Sequence, residues 1–201
     1  MKAKFLLLGI TICFVLVMFG GSWKNFDEPY MVTEAQAVET ISELMKQYKA
    51  GDKWTREFAG GEKCYAFAHF VFNSICKRGE RPIGDGAKWI SPKRYKYQPK
   101  SGDIVEVGCL DIGYTKDELR KLFSQIKSGD FIQAQNWSDY GDHEGGPHSM
   151  IAVSYDAKKE RVEIYDANGV DKDTIGHYYQ TLDEFMSQFI GVSLYRYWLL
   201  F

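Results

Sequence analysis

The chain has 201 residues, is 45% hydrophobic and 15% aromatic, and carries a formal net charge of −2. That length supports one domain with a sizeable core, alone or behind a short leader. The aromatic content excludes a disordered chain, and the near-neutral balance offers no basic face for nucleic acid.

The N-terminus differs in kind from the rest. "MKAKFLLLGITICFVLVMFGGSW" places two lysines before an apolar stretch from Phe5 to Phe19. A spanning helix needs roughly 20 apolar residues, so the stretch is short for one. It reads as a secretory signal, with an uncleaved membrane anchor as the alternative. Ala35 and Ala37 in "TEAQA" resemble an A-x-A cleavage site. The expected organisation is therefore a leader or anchor over residues 1–37 and one domain over residues 38–201, secreted or held at the cell surface. Cys13 lies inside the apolar stretch, with no lipobox-like ending.

"VTEAQAVETISELMKQYKAG" predicts a helix, because Val38, Ile41, Leu44, Met45 and Tyr48 recur at three- and four-residue steps. "CYAFAHFVFNSICKRG" predicts a second. Phe67, Val71 and Ile75 form one stripe, Ala68, Phe72 and Cys76 run beside it, and Gly79 ends it. Residues 80–102 read as a long loop. "GDIVEVG" is a short strand, and "TKDELRKLFSQIKSG" a third helix with Thr115 as N-cap. "GDFIQAQN" is again a strand, followed by the polar loop "WSDYGDHEGGP". "HSMIAVSY" and "RVEIYDAN", joined by "DAKKE", carry a β-hairpin signature. "TLDEFMSQF" predicts a last helix and "SLYRYWLLF" a last strand. Helices first and an antiparallel sheet after them give an α+β fold.

Without the leader three cysteines remain, Cys64, Cys76 and Cys109, and an odd count leaves at least one thiol free in an exported protein. Cys76 and Cys109 either pair or stay as separate thiols. Cys64 stands where a helix begins, after Gly60 and Gly61 and next to Lys63. Unpaired N–H groups and the positive dipole end favour a thiolate there and can hold an oxyanion. A hairpin turn centred near Lys158 and Lys159 puts His148 opposite residues close to Asn168 and diagonal to Asp166. A histidine beside a carboxylate or amide is the base that thiol catalysis requires.

The order of these pieces resembles the papain-like peptidoglycan hydrolases of the CHAP and NlpC type. The matching segments are "KCYAFAHFVF", "KSGDFIQAQN", "GGPHSMIAV" and "VEIYDAN", over roughly residues 54–170. The resemblance implies a papain-like domain, its nucleophile at a helix start packed on an antiparallel sheet. Cys64 is then the nucleophile, His148 the general base, Asp166 the acidic residue that orients it, and Asn168 the polar residue two places on. CHAP domains usually carry glutamate where Asp166 stands, and the insertion holding the third helix is larger than in a minimal member. Asp166 and Asn168 also fit a turn at "DANG".

His69 on the second helix reads as packed or exposed, and His177 as surface. Asp142, His143 and Glu144 form a solvated loop without zinc-ligand spacing. Trp54, Tyr65, Trp89, Trp137 and Tyr140 read mostly as core or loop aromatics that lie near the site. The expectation is an exported cysteine hydrolase cleaving amide bonds in peptidoglycan, monomeric, with no cofactor and no metal. Two alternatives are an amidase, peptidase or acyltransferase of the same fold acting on another substrate, and a silent binding domain.

Overall fold

A computed structural model describes residues 32–55, 63–76, 104–136 and 148–197. Helix α1 (Glu34–Gln47) begins with a reciprocal cap. The Gln36 N–H donates to the Thr33 hydroxyl at 3.2 Å, and the Thr33 N–H donates to the Gln36 side chain at 2.9 Å. Ala37, Ile41 and Leu44 are its buried face. The boundary expected at 37/38 thus falls inside this helix. Val32 and Ala37 are both fully packed, and the compact unit starts at Val32.

Helix α2 (Lys63–Cys76) buries Phe67, Val71 and Ile75 of one expected stripe and Ala68 and Phe72 of the other, all in the core. Each of the larger side chains contributes about 1.5–3 kcal/mol of burial. The remaining elements are β1 (Ile104–Leu110), α3 (Lys116–Phe123), β2 (Phe131–Asn136), β3 (His148–Asp156), β4 (Arg161–Ala167), β5 (Ile175–Thr181), α4 (Leu182–Gln188) and β6 (Phe189–Tyr197). Thr115 and Thr181 cap α3 and α4 with the same reciprocal box that opens α1. The sequence reading missed β5. "IGHYYQT" alternates with period two, but its glycine and histidine obscure the pattern. The expected loops at 80–102 and 137–147 lie outside the described residues.

Among the described residues the result is α+β: four helices and one open six-stranded sheet, ordered β1-β6-β2-β3-β4-β5, with every neighbouring pair antiparallel. Each face of the sheet carries its own core. Phe131, Ile151, Tyr165 and Tyr195 pack against α1 and α2. Ile132, Met150, Ile164 and Leu194 pack with Leu119, Phe123, Leu182 and Phe185 of α3 and α4.

The β3–β4 hairpin positions the site. Near its turn the pairs are Tyr155↔Val162 and Ser154↔Glu163, a register that would continue to set His148 opposite Gly169. A β-bulge intervenes between Ala152 and Ser154, and Val153 is the extra residue. Beyond it the pairs are Ala152↔Ile164 and Met150↔Asp166. The bulge therefore brings His148 and Asp166 onto the same face, since paired residues share a face and strands alternate.

Candidate active site

Cys64 is the second residue of α2 and is 8% exposed. His148 opens β3 and is 8% exposed, and Asp166 sits near the end of β4 at 0%. The helix and the two strand residues belong to opposite faces of the sheet, and they meet where β3 begins. The Cys64 sulfur and the His148 ring share a hydrogen bond. On its other side His148 Nε2 lies 2.6 Å from Asp166 Oδ2. An ionised carboxylate only accepts, so Nε2 carries the proton and donates it there, leaving Nδ1 for the sulfur. The shorter aspartate side chain reaches the ring without help.

Burial is the largest single influence on His148 and acts to lower its pKa. The hydrogen bonds to Asp166 and Cys64, with the negative charge of each, outweigh burial and bring the group up to about 10. The ring therefore holds its proton more tightly than a free imidazole does. A protonated imidazole bonded to a cysteine sulfur is the arrangement that activates a thiol nucleophile. The other described free thiol, Cys109, is the opposite case. Burial first, then Glu106 and Asp111, push it up to about 11, which leaves it inert at neutral pH.

Asp166 has its own seat. Its Oδ2 also accepts the Tyr178 hydroxyl at 2.8 Å. Burial and then the Asp166 charge push the Tyr178 phenol well above the ordinary tyrosine range, so it remains a donor. Two glycines leave room for the carboxylate. A Cβ on Gly176, the cross-strand partner of Asp166, would stand 2.5 Å from Oδ1. A Cβ on Gly169 would stand 2.1 Å from Oδ2 and 2.6 Å from the Tyr178 hydroxyl. The Phe189 ring lies parallel to the imidazole, with centroids 6.3 Å apart and planes within 6°. The Tyr114 hydroxyl fixes the Phe189 backbone by donating to its carbonyl at 2.7 Å.

Three of the four expected site residues thus come together. Asn168 does not touch the ring. Its side-chain oxygen accepts the Asp173 N–H, and its own N–H donates to the Thr174 carbonyl at 3.0 Å. It makes the turn that "DANG" suggested. The sequence reading missed Tyr178, Gly169 and Gly176, for which finding β5 would have been the signal. It also missed Phe189 and the Lys63–Asp173 ion pair, which no local pattern encodes. Trp54 and Tyr65 are core residues, His177 is exposed and pairs with Glu163 at 2.8 Å, and His69 contacts Asn73. Trp89, Trp137, Tyr140, Asp142, His143 and Glu144 lie outside the described residues. Among the described residues no cluster of His, Cys, Asp or Glu is placed to hold a metal, and no helix is long and apolar enough to cross a membrane.

Fold and site together define an α+β chain with a buried cysteine–histidine–aspartate relay at a helix start. No family model matches the sequence, and no curated protein does. Among solved structures the chain is similar to Ly7917, at 16% identity and a TM-score of 0.45, over 80% of this chain and 61% of that one. It is similar to PlyC at 18% identity and a TM-score of 0.43, over 79% of this chain and 35% of that one. It is also similar to Ly7917 crystallised with "the hydrolyzing product of MDP", at 15% identity and a TM-score of 0.42, with 80% and 61% covered. The chain spans less than two thirds of the length of each.

Proposed function

We propose that this chain is an exported cysteine hydrolase of papain-like fold that cleaves amide bonds in peptidoglycan. The observation that carries the catalytic part is His148 hydrogen-bonded at once to the Cys64 sulfur and to buried Asp166. The wall substrate rests on the order of "KCYAFAHFVF", "GGPHSMIAV" and "VEIYDAN", which resembles the CHAP and NlpC hydrolases. The leader over Phe5–Phe19 belongs to the same reading.

The chemistry follows from the groups present. The Cys64 sulfur attacks the amide carbonyl carbon, and the carbonyl oxygen becomes an oxyanion. Backbone N–H groups at a helix start are the donors suited to hold that charge. His148 gives its proton to the departing amine as the C–N bond breaks, leaving a thioester on Cys64. It then takes a proton from water, whose oxygen attacks the thioester and releases the carboxylate product. Asp166 keeps the ring in one tautomer and orientation throughout and stabilises its charged form. This sequence needs no cofactor and no metal.

Cys64→Ala tests the proposal. Hydrolysis of purified cell wall should fall by at least roughly a thousandfold, with the melting temperature near wild type. Mass spectrometry of the released fragments separates the two cuts: new N-termini within the peptide mean an endopeptidase, and free lactyl carboxyls on the sugar mean an N-acetylmuramoyl-L-alanine amidase. Wild-type wall hydrolysis by Cys64→Ala would refute the mechanism. Inert wall but cleaved peptide substrates would refute the target.

A further inference from the structure

Resting on that reading of Cys64, we propose that Asn168 is a positioning residue that acts on the nucleophile's helix rather than on the histidine. It folds the 168–174 loop so that Asp173 can pair with Lys63, the residue before Cys64.

Both nitrogens of the His148 ring are already committed, Nε2 to Asp166 and Nδ1 to the sulfur, so the ring has no donor or acceptor left for an amide. Asn168 instead closes a loop. Its φ of +66° is left-handed, a conformation that asparagine tolerates better than most residues. From there its side-chain oxygen accepts the Asp173 N–H and its backbone N–H donates to the Thr174 carbonyl. Asp173 is also left-handed, at +59°. Two such residues in one short loop persist only where the surroundings over-determine them.

Asp173 spends its polar groups in three directions. Its N–H goes to Asn168, and its carbonyl accepts the Trp54 N–H at 2.9 Å. Its carboxylate meets Lys63 Nζ at 2.6 Å, with the two side chains 30% and 20% exposed. Lys63 holds the Asp173 carboxyl below its ordinary range, so the pair is ionic at neutral pH. The Ile175 N–H donates to the Asp52 carbonyl, and the Gly51 N–H to the Ile175 carbonyl, both at 2.9 Å. The loop is therefore braced on one side by residues 51–54 and tied on the other to the start of α2. Asp166, which holds the imidazole, lies two residues before Asn168. The strand that carries the carboxylate and the helix that carries the thiol are joined through Asn168, Asp173 and Lys63, and that link sets the sulfur's distance from the ring.

The test is a double-mutant cycle on the full chain with Asn168→Gly and Asp173→Asn. Glycine keeps the left-handed backbone and removes the acceptor, while asparagine keeps the N–H and removes the charge. Two readouts need no wall substrate: the rate of Cys64 carbamidomethylation by iodoacetamide across pH, mapped by mass spectrometry, and the ¹⁵N titration of the His148 ring. Each single variant should slow Cys64 alkylation at neutral pH roughly tenfold, the loss expected when a reacting group is displaced by a fraction of an ångström. The double variant should be no slower than the worse single one, and the ring should keep its Asp166-bonded signal. Multiplying effects, a wild-type rate in Asn168→Gly, or loss of the Asp166-bonded signal in that variant would each overturn the inference. If wild-type Cys64 reacts no faster than Cys109, the nucleophile assignment falls and this inference falls with it. If the alkylation pattern holds but wall is not cleaved, only the substrate reading fails.

Discussion

Gly176→Ala isolates the role of the carboxylate's seat. The added methyl would stand 2.5 Å from Asp166 Oδ1 and 3.0 Å and 3.2 Å from two carbons of the Tyr178 ring. Real Cβ contacts essentially never fall under 3.0 Å, so the carboxylate must retreat by about half an ångström or β5 must move away from β4. Gly176 faces Asp166 directly across the ladder, and the half-buried ring of Tyr178 stands against the same position. Overpacking of this kind costs about 1–3 kcal/mol of stability. The catalytic cost is larger in proportion, because the 2.6 Å bond to His148 Nε2 depends on where the carboxylate sits. Under the proposed function, a shift of this size should lower wall hydrolysis and Cys64 alkylation roughly 10- to 100-fold. The His148 titration should move down from about 10 toward the ordinary histidine value of about 6.5. The assays are hydrolysis, alkylation and ¹⁵N titration, with thermal melting to confirm folding. A folded Gly176→Ala with wild-type rate and titration would refute the argument that this glycine makes room for the carboxylate.

Stability should follow the same ring. His148 binds its proton more tightly in the folded state, so its contribution is fully present below about pH 6.5 and is lost as pH rises through about 10. Urea midpoints measured across that window should fall for wild type, and Asp166→Asn should flatten the decline; parallel curves would show that the pair carries no such linkage. At the other end of the chain, the proposed export leader should be cut upstream of Thr33. A cut after Ala37 would remove the cap and first turn of α1, and the cap alone accounts for about 1 kcal/mol. Intact-mass measurement settles the point, and a mature chain starting at Val38 with undiminished stability would contradict it.

Legibility in the sequence followed the range of the interactions involved. The three helices with described caps announce themselves locally, as Thr33-x-x-Gln36, Thr115-x-x-Glu118 and Thr181-x-x-Glu184. That Cys64, His148 and Asp166 come together was also readable, because a cysteine, a histidine and an acid stand in the order that the resembling hydrolases share. The position of β6 between β1 and β2 was not, since pairing between segments some 60 to 90 residues apart leaves no local mark. The partner of Asn168 was hidden for another reason: it is a backbone N–H, which every residue but proline owns. The bulge at Val153 had no glycine to flag it. Turn counting placed His148 opposite residues close to Asn168 and diagonal to Asp166, and the bulge is what produces that alignment.

That extra residue also bears on how the hairpin finds its alignment during folding. "MIAV", residues 150–153, is apolar at every position, so sliding β3 by one step exchanges one buried hydrocarbon for another. Burial therefore discriminates weakly between the native alignment and its neighbour. What differs is the end of the strand, where sliding would turn His148 away from Asp166 and Tyr178 and put Ser149 in its place. The polar contacts that equip the site for chemistry are thus also the key that fixes the strand's alignment. Variants that break them would populate a misaligned hairpin with nearly the same hydrophobic core.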